Sequence, residues 1–334
     1  MTHCRAPARP GPRAQLSLMG RIGLVLGAGG TAGHAFHSGV LAALEESTGW
    51  DPRGAEIVVG TSAGSIIAAL LRAGVGGPDL LAQTLRRPVG PEAQAVFARA
   101  GRRGGGPLPR PGAASTGRGP SAASLLLRPW GVRPGAMVAA MLPAGKVSTE
   151  VVAAGVRNVY GDTWPDRPTW ICAVRLDRGR LVVFGRSGSP RASMADAVAA
   201  SCAIPAYFAP VEIGGVRHVD GGAHSVTNAD LLAGLGLDLV LVSCPMGSTG
   251  DSLNAGLDLP LRAAVRARLG REVAALRRSG TEVITFLPTR ADRAAMGNNA
   301  MDPRRRHAIG VSAHASTLER LGDPGLAARL KALA

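Results

Sequence analysis

Short apolar runs rich in Val, Ile and Leu alternate along the chain with longer stretches in which apolar residues recur at helical spacing. The short runs predict buried β-strands. They occupy residues 21–26, 56–59, 169–176, 180–185, 211–213, 216–219, 238–243 and 281–287. Helices are predicted between them at residues 34–46, 63–71, 78–87, 91–100, 135–142, 190–200 and 261–278. Helices that alternate with buried strands favour an α/β fold of three layers.

The most informative junction between a predicted strand and a predicted helix is Gly60-Thr61-Ser62-Ala63-Gly64. A G-x-S-x-G sequence in this context is typical of a nucleophile elbow, a strained turn that presents the serine hydroxyl. Gly60 and Gly64 are expected where a Cβ would collide with the neighbouring strand and helix. The start of the helix directs backbone N–H groups and the positive end of its dipole at Ser62. The alternative is a glycine-rich turn in which Ser62 is only a helix N-cap.

A second glycine-rich loop, residues 27–33, follows the first predicted strand. Gly27, Gly29 and Ala32 fit a dinucleotide-binding fingerprint, which also needs an acidic residue at the end of the second strand to bind the ribose. That strand ends instead in Gly-Thr-Ser, at residues 60–62. The loop therefore fits an oxyanion hole better, because glycines let backbone N–H groups approach a developing negative charge.

A third motif, Asp220-Gly221-Gly222, directly follows a predicted hairpin. The three motifs in this order resemble the patatin-like phospholipase family. Residues 198–211, which read VAASCAIPAYFAPV, are also similar to the segment that usually precedes the aspartate of that family. The likeness extends over residues 22–242.

The resemblance implies a patatin-like α/β/α fold with a central, mostly parallel sheet and a mobile insertion. It also implies a lipid acyl hydrolase of the phospholipase A or lysophospholipase type, with no metal, no other cofactor and no catalytic histidine. Ser62 would be the nucleophile and Asp220 the base of a Ser-Asp dyad, and the N–H groups of Gly29 and Gly30 would form the oxyanion hole. The other glycines of the motifs are Gly27, Gly33, Gly60, Gly64, Gly221 and Gly222.

The chemistry of these residues is consistent with that assignment. A serine hydroxyl becomes a good nucleophile when a base within about 2.6–3.2 Å accepts its proton. Asp220 can be that base if burial beside apolar residues raises its pKa, and Gly221 and Gly222 would leave space for Ser62 to approach. The alternative is that Asp220 only closes a hairpin, since Asp-Gly is a common turn pair.

Two positions of the first glycine loop depart from the family pattern. Aligned on Gly33, the chain has Ala28 where the family usually has its first glycine and Ala32 where it has a basic residue. Gly29 and Gly30 are retained, so an oxyanion hole is still expected. The missing basic side chain leaves the orientation of the loop open.

Two other functions fit the same motifs. An α/β-hydrolase with a Ser-Asp-His triad could use His307 or His314 as its base, which the order along the chain allows, although both lie in a polar stretch. A hydrolase fold with an altered loop could also serve only to bind lipid. Three further histidines, His34, His37 and His218, are expected to be structural or exposed. His224 lies close to Asp220 in the sequence, and a supporting role for it is left open.

Charge adds a candidate binding partner. The chain of 334 residues carries a net charge of +15, almost entirely from arginine, and has no acidic residue before Glu45 or between Glu92 and Glu150. Such basic regions would attract an anionic surface such as lipid head groups. Because rich Arg, Ala and Gly usage can reflect a GC-rich genome, the charge is weak evidence for nucleic acid, and no nucleic-acid partner is expected.

Cysteine spacing suits a reducing compartment, and the apolar runs are too short for a membrane span. The four cysteines are widely spaced with no C-x-x-C pair, which argues against a zinc site or a disulfide framework. No run of about 18 apolar residues predicts a transmembrane helix, and residues 1–18 lack the apolar core of a signal peptide. We therefore expect a cytoplasmic protein and leave open a peripheral contact at the inner membrane surface.

Composition divides the chain into three segments and one insertion. Residues 1–20 are predicted to be a disordered basic tail, with Met19 as an alternative start. Residues 21–290 form the predicted catalytic domain. Within it, residues 101–120 are rich in Gly, Pro, Arg and Ser and predict a flexible insertion or lid. Residues 291–334 are predicted to be a C-terminal helical extension.

Overall fold

The computed structural model of the chain describes residues 20–101, 145, 147–249 and 259–333. The predicted tail before residue 20, the predicted insertion beyond residue 101 and the predicted helix at residues 135–142 lie outside these ranges. In the part of the chain that is described, no helix is long and apolar enough to cross a membrane.

Eight strands in the described ranges form one mixed sheet. They are β1 (Ile22–Leu26), β2 (Ile57–Thr61), β3 (Thr169–Arg175), β4 (Arg180–Phe184), β5 (Val211–Ile213), β6 (Val216–Asp220), β7 (Leu239–Ser243) and β8 (Glu282–Phe286). Their order is β5-β6-β3-β2-β1-β7-β8, and β4 pairs antiparallel with β3. The strands β3, β2, β1, β7 and β8 are mutually parallel, whereas β6 and β5 form an antiparallel edge. The predicted α/β fold with a central, mostly parallel sheet is confirmed.

Ten α-helices lie in the same described ranges. They are α1 (Gly30–Thr48), α2 (Ala63–Arg72), α3 (Gly77–Thr84), α4 (Pro91–Ala100), α5 (Glu150–Tyr160), α6 (Met194–Ser201), α7 (Leu259–Arg278), α8 (Arg290–Met296), α9 (Arg306–Leu321) and α10 (Pro324–Leu333).

Two predicted helix starts are wrong. α1 begins at Gly30 and not at residue 34, so the first glycine loop runs directly into the helix. α6 begins at Met194 and not at residue 190. The hydroxyl of Ser193 accepts a hydrogen bond from the N–H of Asp196 at 3.1 Å and caps the helix at that point.

Side chains that alternate in direction along the strands contribute to two hydrophobic clusters, one on each face of the sheet. Leu24 and Leu26 of β1 point into the larger cluster, which the helices α1 to α6 and α8 to α10 cover. Val25 points into the smaller cluster, beneath α7 and the 3₁₀ helix Ala229–Leu232. Successive strand side chains point to opposite faces, so one strand serves both clusters and the fold has three layers.

The helix α1 contributes a long run of buried residues to the larger cluster. It lies between the sheet and α9, and the two helices touch closely at glycines. A Cβ on Gly39 would lie 2.7 Å from the carbonyl oxygen of Gly310. Ile309 and Ala313 of α9 are fully buried in the same cluster. The C-terminal helices therefore share the core of the sheet that carries the glycine motifs.

Candidate active site

Ser62 lies in a strained turn between β2 and α2. Its backbone has φ 53° and ψ −120°, a conformation that is rare for residues other than glycine and that clusters at functional sites. A Cβ on Gly60 would lie 2.7 Å from the Cα of Ser65, and a Cβ on Gly64 would collide with the carbonyl of Leu26. Close backbone packing therefore requires both glycines.

Hydrogen bonds from other elements hold the backbone of Ser62 in this turn. Its N–H donates to the Ser201 hydroxyl at 2.9 Å, and that hydroxyl donates to the carbonyl oxygen of Cys172 at 2.7 Å. The carbonyl oxygen of Ser62 accepts from the Ser65 hydroxyl at 2.6 Å. Neither Ser201 nor Ser65 was predicted as a site residue. In the sequence, only the family-like segment 198–211 draws attention to Ser201.

Strand register brings Asp220 to Ser62. Thr61, at the end of β2, pairs with Cys172 of β3, and Asp220, at the end of β6, pairs with the next residue of β3, Ala173. The two strand ends therefore meet at adjacent positions of β3. This places the carboxyl of Asp220 near the side chain of Ser62, close enough for that side chain to lower the pKa of the carboxyl.

Burial controls the protonation of Asp220, which is only 5% exposed. Desolvation raises the pKa of this carboxyl to about 6, against hydrogen bonds from Ser62 and the N–H of Gly222 that favour the charged form. The Gly222 N–H lies 2.7 Å from Oδ1. A Cβ on Gly221 would collide with the carbonyl of Cys172. At neutral pH the carboxylate is therefore ionised, yet it is a stronger base than an exposed aspartate.

The first glycine loop lies at the N-terminus of α1. Gly29 is the N-cap, and Gly30, with φ 58°, is the first helical residue. Among the described residues, no backbone carbonyl accepts a hydrogen bond from the N–H of Gly29 or Gly30. Unpaired N–H groups and the helix dipole make such a terminus favourable for an anion. Gly30 and Ser62 line the same cavity, so the loop and the serine are brought together.

Residues outside the motifs anchor this loop. The Nε2 atom of His37 lies 2.8 Å from the carbonyl oxygen of Gly27. Burial lowers the pKa of His37 to about 4, so its ring is neutral at pH 7. Nε2–H therefore donates to Gly27, and Nδ1 accepts from the Ser243 hydroxyl at 2.8 Å. From the other side, the carbonyl of Ala300 accepts from the N–H of Ala32 at 2.8 Å.

A largely apolar cavity of about 380 Å³ contains Ser62 in its wall. The helix α2 contributes Ile66 and Leu70 to this wall, and α5 contributes Val152 and Val156. The volume lies in the range of small-molecule sites. Aliphatic walls beside a serine suit the hydrocarbon chain of an acyl ester.

One part of the cavity wall is polar and was not predicted from the sequence. It is formed by Thr31, His34, Gln83 and Arg306. Burial, and then the charge of Arg306, lower the pKa of His34 to about 3, so its imidazole is neutral. These side chains come from α1, α3 and α9, and only the packing of the three helices makes them neighbours.

The two histidines considered as triad bases lie elsewhere. Neither His307 nor His314 lines the cavity. His307 is exposed on α9, and Nε2 of His314 lies 2.9 Å from the carboxylate of Glu46. The geometry gives the triad alternative no support. Over the described ranges, no three His, Cys, Asp or Glu side chains form a group that could hold a metal ion.

Comparison with known proteins identifies the family of these motifs. A sequence model of patatin-like phospholipases matches residues 24–233, which include the first glycine loop, Ser62 and Asp220. A comparison with curated protein sequences finds no match.

VipD and ExoU are two of the solved structures that match the chain, both at low sequence identity. VipD from Legionella pneumophila is 15% identical, with a TM-score of 0.42, over 91% of this chain and 67% of VipD. The type III effector protein ExoU is 18% identical, with a TM-score of 0.35, over 93% of this chain and 53% of ExoU. The chain thus spans about half the length of ExoU. Since the family model covers more than half of the chain, the chain belongs to the patatin-like phospholipase family.

Proposed function

We propose that the protein is a lipid acyl hydrolase in which Ser62 is the nucleophile and Asp220 is the general base. The observation that carries this proposal is the strand register, which brings the buried carboxyl of Asp220 to the strained Ser62 in the wall of an apolar cavity. Membership of the patatin-like phospholipase family supports a lipid ester as the substrate. We further propose that the protein meets this substrate by peripheral contact with an anionic membrane.

In the first step, the Ser62 oxygen attacks the ester carbonyl while the carboxylate of Asp220 accepts the hydroxyl proton. The negative charge that develops on the carbonyl oxygen is stabilised by the N–H groups of Gly29 and Gly30 and by the dipole of α1. Collapse of this intermediate breaks the ester bond. The proton on Asp220 passes to the departing alcohol, and the acyl group remains on Ser62.

In the second step, water takes the place of the alcohol. Asp220 accepts a proton from the water, whose oxygen attacks the acyl carbonyl, and the same N–H groups stabilise the oxyanion. The proton then returns to the Ser62 oxygen as the fatty acid leaves. Neither step requires a cofactor.

The raised pKa of Asp220 supports its role as the base. A carboxylate with a pKa of about 6 remains ionised at neutral pH and holds a proton more readily than an exposed aspartate. The apolar walls from α2 and α5 support binding of the hydrocarbon chain. The anchors of the first glycine loop supply a rigid oxyanion hole, which is the condition for electrostatic stabilisation without reorganisation.

The proposal is tested by comparing Ser62→Ala with Ser187→Ala, a matched change at an exposed serine. Hydrolysis of short- and long-chain acyl esters should vanish in the first variant and be unchanged in the second. A fluorophosphonate probe should label the wild type and Ser187→Ala but not Ser62→Ala. Turnover above a few per cent of wild type in Ser62→Ala would refute the nucleophile. A wild type that neither hydrolyses esters nor reacts with the probe would indicate a lipid-binding protein instead.

A further inference from the structure

Arg306 presents a charged side chain to the same cavity as Ser62. It is the first residue of α9 and lies outside the family match, which ends at residue 233. Its Nε atom is buried and has no hydrogen-bond acceptor among the described residues. Its Nη2 atom makes a long contact of 3.4 Å with the side-chain oxygen of Gln83. Within the described part of the chain, the hydrogen-bonding capacity of this guanidinium is therefore largely unused.

No carboxylate of the described residues forms an ion pair with Arg306, although its neighbours are paired. Arg304 lies 3.0 Å and Arg305 lies 3.9 Å from carboxylate oxygens of Asp302. Burial, and then the positive charge of Arg86, lower the pKa of the Arg306 guanidinium.

Two features increase the positive potential at this point. Arg306 lies in the first turn of α9, at the positive end of the helix dipole, and that turn contains no acidic residue. Beside it, the neutral imidazole of His34 offers a hydrogen-bond donor without a competing negative charge. A partly buried arginine without a counter-ion is costly, and a bound anion would remove that cost.

The chemistry of the guanidinium favours one kind of anion. Its planar fork of N–H donors matches the paired oxygens of phosphate or carboxylate. The hydrocarbon chain of a lipid ester has an apolar wall to occupy, and the ester must reach Ser62. The polar wall is then left for the part of the substrate that carries charge.

We propose that Arg306 binds the phosphate of a glycerophospholipid substrate and thereby selects phosphate-bearing acyl esters over neutral ones. This inference rests on the proposed hydrolase function. The N-terminus of α9 and the side chains of His34 and Gln83 complete the phosphate subsite. The acyl chain lies along α2 and α5, with its ester at Ser62.

The direct test uses two substrates that differ only in the phosphate, a monoacylglycerol phosphate and the monoacylglycerol with the same acyl chain. Arg306→Gln should raise KM for the phosphate ester by about 10- to 100-fold, the effect of losing a charge-assisted hydrogen bond. Its kcat/KM for the neutral ester should stay within about threefold of wild type. Arg306→Lys should recover part of the preference as a point charge. Arg304→Gln, the exposed control on the same segment, should leave the kinetic constants for both substrates unchanged.

A binding measurement keeps this inference separate from the proposed function. In the Ser62→Ala background, the monoacylglycerol phosphate should raise the melting temperature, and adding Arg306→Gln should abolish that rise. The melting temperature of the free protein should not fall in this double variant, because an unpaired charge is removed. If the wild type hydrolyses no ester but this binding difference persists, the hydrolase proposal fails and the phosphate site stands. The phosphate site is overturned if Arg306→Gln lowers kcat/KM equally for both esters. It is also overturned if the monoacylglycerol phosphate raises the melting temperature equally with and without Arg306. If the only effect of Arg306→Gln is weaker inhibition by free fatty acid, then Arg306 binds a carboxylate, and the phosphate site is also overturned.

Discussion

The imidazole of His37 lies 2.8 Å from the carbonyl oxygen of Gly27 and so joins the middle of α1 to the loop that leads into that helix. His37 is fully buried, and its other ring nitrogen bonds the hydroxyl of Ser243 at the end of β7. One side chain therefore fixes the first glycine loop, the proposed oxyanion hole, against two elements of the core. The electrostatic stabilisation proposed for this loop would depend on such rigidity.

Removal of this side chain should affect turnover more than binding. His37→Ala leaves the Gly27 carbonyl and the Ser243 hydroxyl without a buried partner, at a cost of about 1–3 kcal/mol each in the free energy of unfolding. We expect kcat to fall at least about tenfold with KM nearly unchanged, because the loop acts on the developing oxyanion. Steady-state kinetics and thermal melts measure both effects. Thr84→Ala, a buried change in α3, should lower stability alone.

The neutral state of His37 should also appear in the pH dependence of stability. Its pKa is about 4 in the folded protein and about 6.5 when unfolded. The unfolded chain therefore binds the proton first as the pH falls. The stabilising contribution of the neutral ring is complete above pH 6.5 and is lost as the pH falls towards 4. Denaturant titrations at several pH values should show a shallower decline for His37→Gln than for wild type, and an identical decline would contradict this assignment.

The pKa of Asp220 predicts a single limb in the pH–rate profile. Since the base must be ionised, kcat/KM should rise with pH through an apparent pKa of about 6 and reach a plateau near pH 7.5. Asp220→Asn should lower the rate by about 10²–10⁴-fold, the usual contribution of a positioned base. It should also raise the free energy of unfolding at pH 7, by at most about 3 kcal/mol, because a buried charge is removed. Single alanine changes at His307 and His314 should have far smaller effects on the rate. A pH–rate profile of the wild type with no limb near pH 6 would exclude Asp220 as the base.

Gly30 offers a test of the oxyanion loop with a matched control. A Cβ on Gly30 would meet the sulfur of Met301 at 2.7 Å, whereas a Cβ on Gly49, at the other end of α1, has no neighbour within 4 Å. Both glycines have positive φ, 58° and 74°, so alanine strains both backbones. Gly30→Ala should lower kcat by about tenfold or more, and Gly49→Ala should only lower the melting temperature. If Gly30→Ala weakens the binding of an uncharged ligand as much as it lowers kcat, the loop serves binding and not stabilisation of the oxyanion.

The insertion beyond residue 101 remains a prediction from the sequence. Its Gly, Pro and Arg content predicts a flexible segment that meets an anionic lipid surface beside the apolar residues 125–127. Sedimentation with anionic vesicles should decrease at high salt and when five arginines become glutamine, and neutral vesicles should bind neither protein. Equal binding of both proteins would leave the segment as a linker. The five are Arg99, Arg102, Arg103, Arg110 and Arg118.

The sequence was most informative where a motif carries its own geometry. The G-x-S-x-G junction predicts a strained serine, and the structure has Ser62 at φ 53° between a strand and a helix. The position of Asp220 followed from the order of the motifs, which the resemblance supplied. Its contact with Ser62 depends on the register of two strands along β3, and no local pattern encodes that register.

Other parts of the site depend on packing between distant elements. His34 was not expected near the chemistry, yet it lines the cavity because α1 begins at Gly30 and because α9 packs beside it. Arg306 lies in a polar stretch that reads as a solvated surface. Ser201 has an ordinary helical sequence around it, and its contact with the Ser62 N–H exists only in the folded chain. Periodicity describes one element at a time and cannot predict such contacts.

The packing of α9 on α1 also orders the assembly of the protein during its synthesis. The Ala300 carbonyl that bonds Ala32, and the Gly310 backbone that covers Gly39, leave the ribosome after the whole segment from residue 24 to residue 233. Contacts of such long sequence separation form late, although chains begin to fold from the N-terminus as they are made. A nascent chain can therefore build the sheet before it can complete the wall of the cavity beside Ser62. An enzyme that attacks lipids would thus stay inert until translation has passed α9.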